Sequence, residues 1–162
     1  MRESAGTAMH VPYLRVVPQA APAAGSEFVV ASGGGTYWRL ISLRFILTTD
    51  ANAANRIVTL LADDNSDAFW QNGISGAQVA TTAQAYSVTT GANNFGAGAA
   101  IRPIGWPDAG LWLYPGWRLR SLTEAIQAGD QYSDIVALVE EFHTGPGGHN
   151  DPAIPGYIGR RA

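Results

Sequence analysis

The feature that most constrains this chain is alternation. From Thr36 to Thr48 apolar side chains at Tyr37, Ile41, Leu43, Phe45 and Leu47 are interleaved with polar ones such as Ser42 and Arg44. Successive side chains leave a strand on opposite faces, so a period of two over that length predicts a half-buried strand. The pattern returns in Ile57-Val58-Thr59-Leu60-Leu61, which is entered from an Asn/Ala-rich turn and left through Asp63-Asp64-Asn65-Ser66-Asp67. Phe69 and Trp70 then close a hairpin. Glu27 to Ala31 opens the series, and Val79 to Val88, Leu111 to Tyr114, Trp117 to Leu122 and Tyr132 to Phe142 continue it, with Pro115-Gly116 marking a turn. Thr123 to Gly129 is the one stretch that reads as a helical turn, and no window carries a helical stripe.

About seven or eight strands at roughly ten-residue spacing predict an all-β fold, an antiparallel β-sandwich of jelly-roll or immunoglobulin-like kind. The sandwich is expected over residues 26–142, interrupted by a long Gly/Ala/Asn-rich loop at 89–110. An extended N-terminal arm at 1–25 carries Pro12, Pro18 and Pro22, and an extended C-terminal arm at 143–162 carries Gly145-Pro146-Gly147-Gly148, Pro152 and Pro155. The strongest strands place Leu40 or Ile41, Leu43, Phe45, Ile57, Leu61, Leu119, Val136 and Leu138 in the core.

A length of 162 residues suits one domain with a core that needs no metal or disulfide staple. There is no Cys, which removes disulfide scaffolds and zinc modules, and every basic residue is Arg. Without Lys a Walker P-loop, a Schiff-base lysine and a lysine isopeptide bond are impossible. The net charge of -3 argues against nucleic acid as a partner. Charged residues make up 14% of the chain against the roughly 25% of ordinary soluble domains, so its surface is poorly supplied with charge. Met1-Arg2-Glu3-Ser4 does not open a secretory signal, and no apolar run is long enough for a membrane helix.

No reactive constellation emerges. Asp63, Asn65 and Asp67 have the spacing that begins a calcium loop, but Ala68 and Ile74 stand where that loop needs Gly and a bidentate Glu. His10, His143 and His149 lie near the chain's ends, away from any rigid ligand set. Ser75 is followed directly by Gly76 and forms no nucleophile elbow. Glu140 and Glu141 are adjacent on one strand, hence on opposite faces, and cannot share a cleft. The five Trp, at 38, 70, 106, 112 and 117, suit a sugar-stacking platform or simple packing. We therefore expect no catalytic residue, metal, cofactor or small-molecule substrate.

Both arms are too apolar for solvating tails. Either they fold back on their own sandwich or they reach neighbouring subunits. The residues expected to bind partners are Val11, Tyr13 and Leu14 in the first arm, Asn93, Asn94 and Phe95 in the long loop, and Ile154, Tyr157 and Ile158 in the second arm.

Two segments carry a resemblance. Trp38-Arg39-Leu40-Ile41-Ser42-Leu43-Arg44-Phe45 followed by Ala53-Ala54-Asn55-Arg56, and Tyr114-Pro115-Gly116-Trp117-Arg118-Leu119-Arg120 with Ile126-Gln127-Ala128-Gly129-Asp130-Gln131-Tyr132-Ser133, are similar to small virion structural proteins of tailed bacteriophages. The similarity spans about residues 26–142. It implies a jelly-roll-like, non-enzymatic capsid decoration (cement) protein, made in the host cytoplasm and carried on the capsid surface of the virion. The implied partners are the major capsid protein and copies of itself in a homotrimer, with no nucleic acid or membrane. The alternative within the same group is a head- or tail-fibre module that binds host-cell glycans.

Overall fold

The computed structural model describes residues 12–73, 76–89, 101–105, 107 and 110–143. Among them the regular structure is ten strands and no helix. They are β1 (Tyr13–Pro18), β2 (Val29–Ala31), β3 (Thr36–Thr48), β4 (Ile57–Asp63), β5 (Ala68–Gly73), β6 (Ala83–Thr89), β7 (Ile101–Ile104), β8 (Leu111–Leu113), β9 (Arg118–Glu124) and β10 (Gln131–His143). The larger sheet runs β1-β10-β3-β6-β7, and β8 pairs with β3 at Trp38–Leu40, before β6 takes over at Ser42. The smaller sheet runs β2-β9-β4-β5. All pairings are antiparallel except β6 with β7, which is parallel.

One apolar core joins the inner faces of the two sheets. Leu40, Leu43, Phe45, Leu47, Tyr86, Val88, Ile135, Ala137 and Val139 from the larger sheet meet Val30, Val58, Leu60, Ala62 and Leu119 from the smaller. Phe28, just before β2, bridges them, with its ring 5.0 Å from Phe45 and 5.1 Å from Tyr132. Thr123–Gly129 is the end of β9 followed by a turn, with no helix.

Two bulges reset the alternation and correct part of the expected core. In β3, Leu40 and Leu43 are both buried, and the register against β10 slips between them, from Leu138 opposite Ser42 to Val139 opposite Leu40. The extra residue reverses the phase, so Trp38 and Leu40 point inward before the bulge and Leu43, Phe45 and Leu47 after it. In β10, Tyr132 and Ile135 are both buried around Ser133 and Asp134, the latter at φ 48°. Ile135, Ala137 and Val139 therefore face the core, while Val136 and Leu138, expected there, are half-buried on the outer face. In β4 the inner set is Val58, Leu60 and Ala62; Ile57, also expected inside, is half-buried in phase with the polar Thr59.

Tyr13–Pro18, within the expected N-terminal arm, is an edge strand whose Val17 joins the core. Ile101–Ile104, within the expected long loop, is strand β7.

The interior also holds charge. Arg56 is fully buried, and its five N–H groups are all used. Nε and one NH2 proton go to Asp130 at 2.9 Å each, the other NH2 proton goes to Asp50 at 2.6 Å, and NH1 donates to the carbonyls of Asn52 and Ala54. This knot ties the β3–β4 connection to the β9–β10 turn. Burial alone would raise the Asp130 carboxyl, but hydrogen bonds from Arg56 and from the backbone N–H groups of Asp50 and Gln127 hold it below its ordinary range.

Candidate functional site

The outer faces of the two sheets each combine charged and apolar side chains. On the smaller sheet the outward set includes Thr59, Asp63, Gln71, Arg118, Arg120 and Glu124. Asp63 accepts from Arg118 Nε at 2.7 Å and Arg120 Nε at 2.8 Å, and from the backbone N–H of Asn65. Burial pushes the Asp63 carboxyl up, but these partners outweigh it and bring it below its usual range. The neighbouring Asp64 accepts from the backbone N–H groups of Asp67 and Ser66, which lower it as well. The acidic stretch is thus a hairpin turn whose first two carboxylates are taken by arginines and backbone. Among the described residues no group of three His, Asp or Glu is placed to hold a metal.

On the larger sheet the outward set is mixed, with an apolar patch on β1 and β10 and polar residues across β3 and β6. The register sets Leu14, Val16 and Pro18 of β1 opposite Glu140, Leu138 and Val136 of β10, then Ser42 and Arg44 of β3 opposite Leu138 and Val136, while Ile46 of β3 lies between Ser133 and Ala85. Leu14 is 68% exposed and Val16 62%. Farther along the same face Arg39 pairs with Glu140 at 2.7 Å, and Trp112 packs on Phe142 with ring centroids 5.3 Å apart. An antiparallel sandwich usually turns a polar face to water on each side. Here both outer faces mix polar and apolar side chains, the smaller sheet exposing Val29 and Leu122 beside Arg118, Arg120 and Glu124.

The face ends at the open edge of β1. Gln19 donates its N–H to Ile135, so the odd residues of β1 bond to β10 and the even ones point away. Leu14 and Val16 thus present N–H and C=O groups outward, and Pro18, in the same phase, offers no donor, a common way of limiting an edge. On the inner side of this rim, Glu141 accepts from Trp38 Nε1 and from Arg15 NH1, both at 2.8 Å, with His143 Nε2 at 3.2 Å. Burial raises the Glu141 carboxyl, and Trp38 and Arg15 more than reverse that.

Of the residues expected to bind partners, Tyr13 and Leu14 lie in β1, both exposed and on opposite faces. Val11, Asn93, Asn94, Phe95, Ile154, Tyr157 and Ile158 lie outside the described residues. The described Trp do not gather into one platform. Trp38 is buried, Trp112 lies on the larger sheet's outer face, and Trp117 packs between Phe69 and Tyr114 at interplanar angles of 43° and 61°. Rings inclined that way spend their faces on one another. Trp106 lies outside the described residues.

Ile46, Val136 and Leu138 were missed as outer-face residues. The signal was present in Ile135-Val136-Ala137-Leu138-Val139, five apolar residues in a row. Such a run marks a strand covered on both sides. Set against protein-family models, curated proteins and solved structures, the chain matches none.

Proposed function

We propose that this chain is a non-enzymatic structural protein of a tailed-bacteriophage virion, a capsid decoration (cement) protein that binds the major capsid protein and its own copies on the head surface. The observation that carries this reading is the strand order of the two sheets. With β7 and β8 set aside as insertions, β1-β10-β3-β6 over β2-β9-β4-β5 nests the last strand beside the first, as an eight-stranded jelly roll does, an architecture frequent in viral shells.

Five of the described carboxylates are engaged inside the subunit. Asp50, Asp63, Asp130, Glu140 and Glu141 are each paired with an arginine inside the subunit. A homotrimer is the assembly that the resemblance to phage virion proteins implies. Many copies that each touch two capsid proteins would add modest interface energies into a large gain for the shell.

The test compares shells assembled with and without the protein. Decorated heads should release DNA at a higher temperature and carry hundreds of copies each. A few copies at the tail or vertices, equal heat resistance, and binding of the isolated protein to host-cell glycans would assign the chain to an adsorption fibre instead.

A further inference from the structure

Among the described residues, Asp63 is the one carboxylate paired with two arginines. Its Oδ1 accepts from Arg118 Nε at 2.7 Å and its Oδ2 from Arg120 Nε at 2.8 Å. Two cations therefore share one anion, and a unit of positive charge is left over. The Asp63 side chain is 5% exposed, whereas those of Arg118 and Arg120 are 34% and 33% exposed. The carboxylate is a buried anchor, and the guanidiniums are the part of the cluster open to solvent.

A guanidinium has five N–H groups, and each of these two spends only Nε on Asp63. Among the described residues the Nη groups of both have no hydrogen-bond partner. Their place is nonetheless fixed from several sides. Arg120 lies opposite Leu61 in the ladder, and Leu61, although outward in phase, is only 6% exposed, which fits an arginine stem laid across it. The backbone N–H of Asn65 also bonds Asp63, and Asn65 Nδ2 donates to the Gly116 carbonyl, tying the acidic hairpin to the turn before β9. The two arginines are two residues apart on one strand, about 6.6 Å, so one oxyanion can receive a bond from each.

We infer that Arg118 and Arg120 form a clamp for a carboxylate of a partner protein, presented by an Asp or Glu side chain on an otherwise apolar segment.

The surplus charge and the idle planar forks call for an oxyanion, since arginine binds carboxylate and phosphate through parallel N–H groups. A nucleic-acid backbone is a poor match, because it needs a row of cations. Here the next outward residues along β9 are Leu122 and Glu124, and the whole chain carries a net charge of -3. The flanks are apolar. Val29 of β2 lies opposite Arg120 and is 44% exposed, and Leu122 is 46% exposed. A single oxyanion with hydrocarbon beside it is what an acidic side chain in an apolar protein segment offers. Such a partner is expected whether or not the chain belongs to a virion, so the clamp goes beyond the proposed function.

The test follows the arginine Nε–H resonances of the full-length chain, labelled with nitrogen-15, as the blocked tripeptide N-acetyl-Val-Glu-Val-amide is added at low salt. The signals of Arg118 and Arg120 should shift together and saturate. That of Arg44, an exposed arginine on the other sheet that no described carboxylate holds, should move far less. The neutral tripeptide N-acetyl-Val-Gln-Val-amide should give no saturating shift, and inorganic phosphate should bind more weakly than the glutamate peptide.

Arg118→Gln and Arg120→Gln should each weaken binding roughly tenfold, the loss of one charge-assisted hydrogen bond. Arg120→Lys, which keeps the charge without the fork, should weaken it as well, and Arg44→Gln should leave it unchanged. The wild-type titration needs no variant to fold. Equal, unsaturated shifts at all three arginines, or no shift at any, overturn the clamp. Tighter binding of phosphate than of the glutamate peptide overturns the acidic protein partner. Neither result bears on whether decorated heads resist heat, so the clamp and the cementing role fail separately.

Discussion

Replacing Arg56 by Ala removes a guanidinium that is 0% exposed and donates to two carboxylates and two carbonyls. What remains is the Asp130 carboxylate, also 0% exposed, holding only the backbone N–H groups of Asp50 and Gln127. The carbonyls of Asn52 and Ala54 lose their donor too. Removing one member of a buried ion pair costs about 3–5 kcal/mol, because the survivor's desolvation is no longer compensated. That is a large part of the 5–15 kcal/mol typical of a domain. With a urea slope of about 2 kcal/mol/M, the unfolding midpoint should fall by about 2 M.

Arg56→Lys keeps the charge but cannot reproduce the fork, since an ammonium has three donors where five are in use. Its cost should be intermediate, about 2 kcal/mol. Arg56→Met combined with Asp130→Leu should cost less than the two single changes added together, the excess being the coupling between them. A midpoint shift under about 0.5 M for Arg56→Ala would refute the reasoning, because the knot would then be a passenger on a fold held by its apolar core.

The Asp63, Asp130 and Glu141 carboxyls all titrate below their ordinary ranges in the folded chain. Stability from such groups is complete above the unfolded pKa values of about 4 and is lost as pH falls through the folded ones. Urea midpoints should be flat from pH 7 to about 5 and drop below that, with a smaller drop in Asp130→Asn. A midpoint that rises on acidification would contradict the assignment. At Gly129 an added Cβ would sit 2.8 Å from both Cβ and Oδ2 of Asp50. Gly129→Ala should therefore cost about 1–3 kcal/mol as overpacking, read as a lower thermal midpoint, and an unchanged midpoint would mean that the turn yields freely.

Strand content was legible because alternation is a local property, and β3, β4, β9 and β10 all fall where the pattern puts them. Side-chain phase was harder. A bulge is one residue wide, and nothing at Ile41 or Ser133 distinguishes it from regular strand. Where both phases are apolar, as from Ile135 to Val139, the sequence does not say which set faces inward. Tyr13–Pro18 looked like an arm because prolines flank it, yet the same prolines suit an edge strand. The Arg56 knot was hidden for another reason. Arg56 and Asp130 both lie in the segments that carried the resemblance to virion proteins, but they are 74 residues apart, and only the tertiary fold makes them partners.

The two perturbable regions act on different quantities, which makes the functional reading open to a clean separation. Both inner faces are buried in the single subunit, and the fully buried Arg56–Asp130 pair is compensated there. Substitutions in the Arg56 knot should lower stability and leave the stoichiometry of surviving molecules alone. Substitutions at Val16 or Leu138 remove little core packing, so they should alter association with small changes in unfolding midpoint. A protein selected only to remain a monomer gains nothing from Leu14, Val16, Val136 and Leu138 aligned on one outer face, and it incurs an aggregation hazard at the open edge of β1. Covering that face in an assembled state removes the hazard and uses the surface.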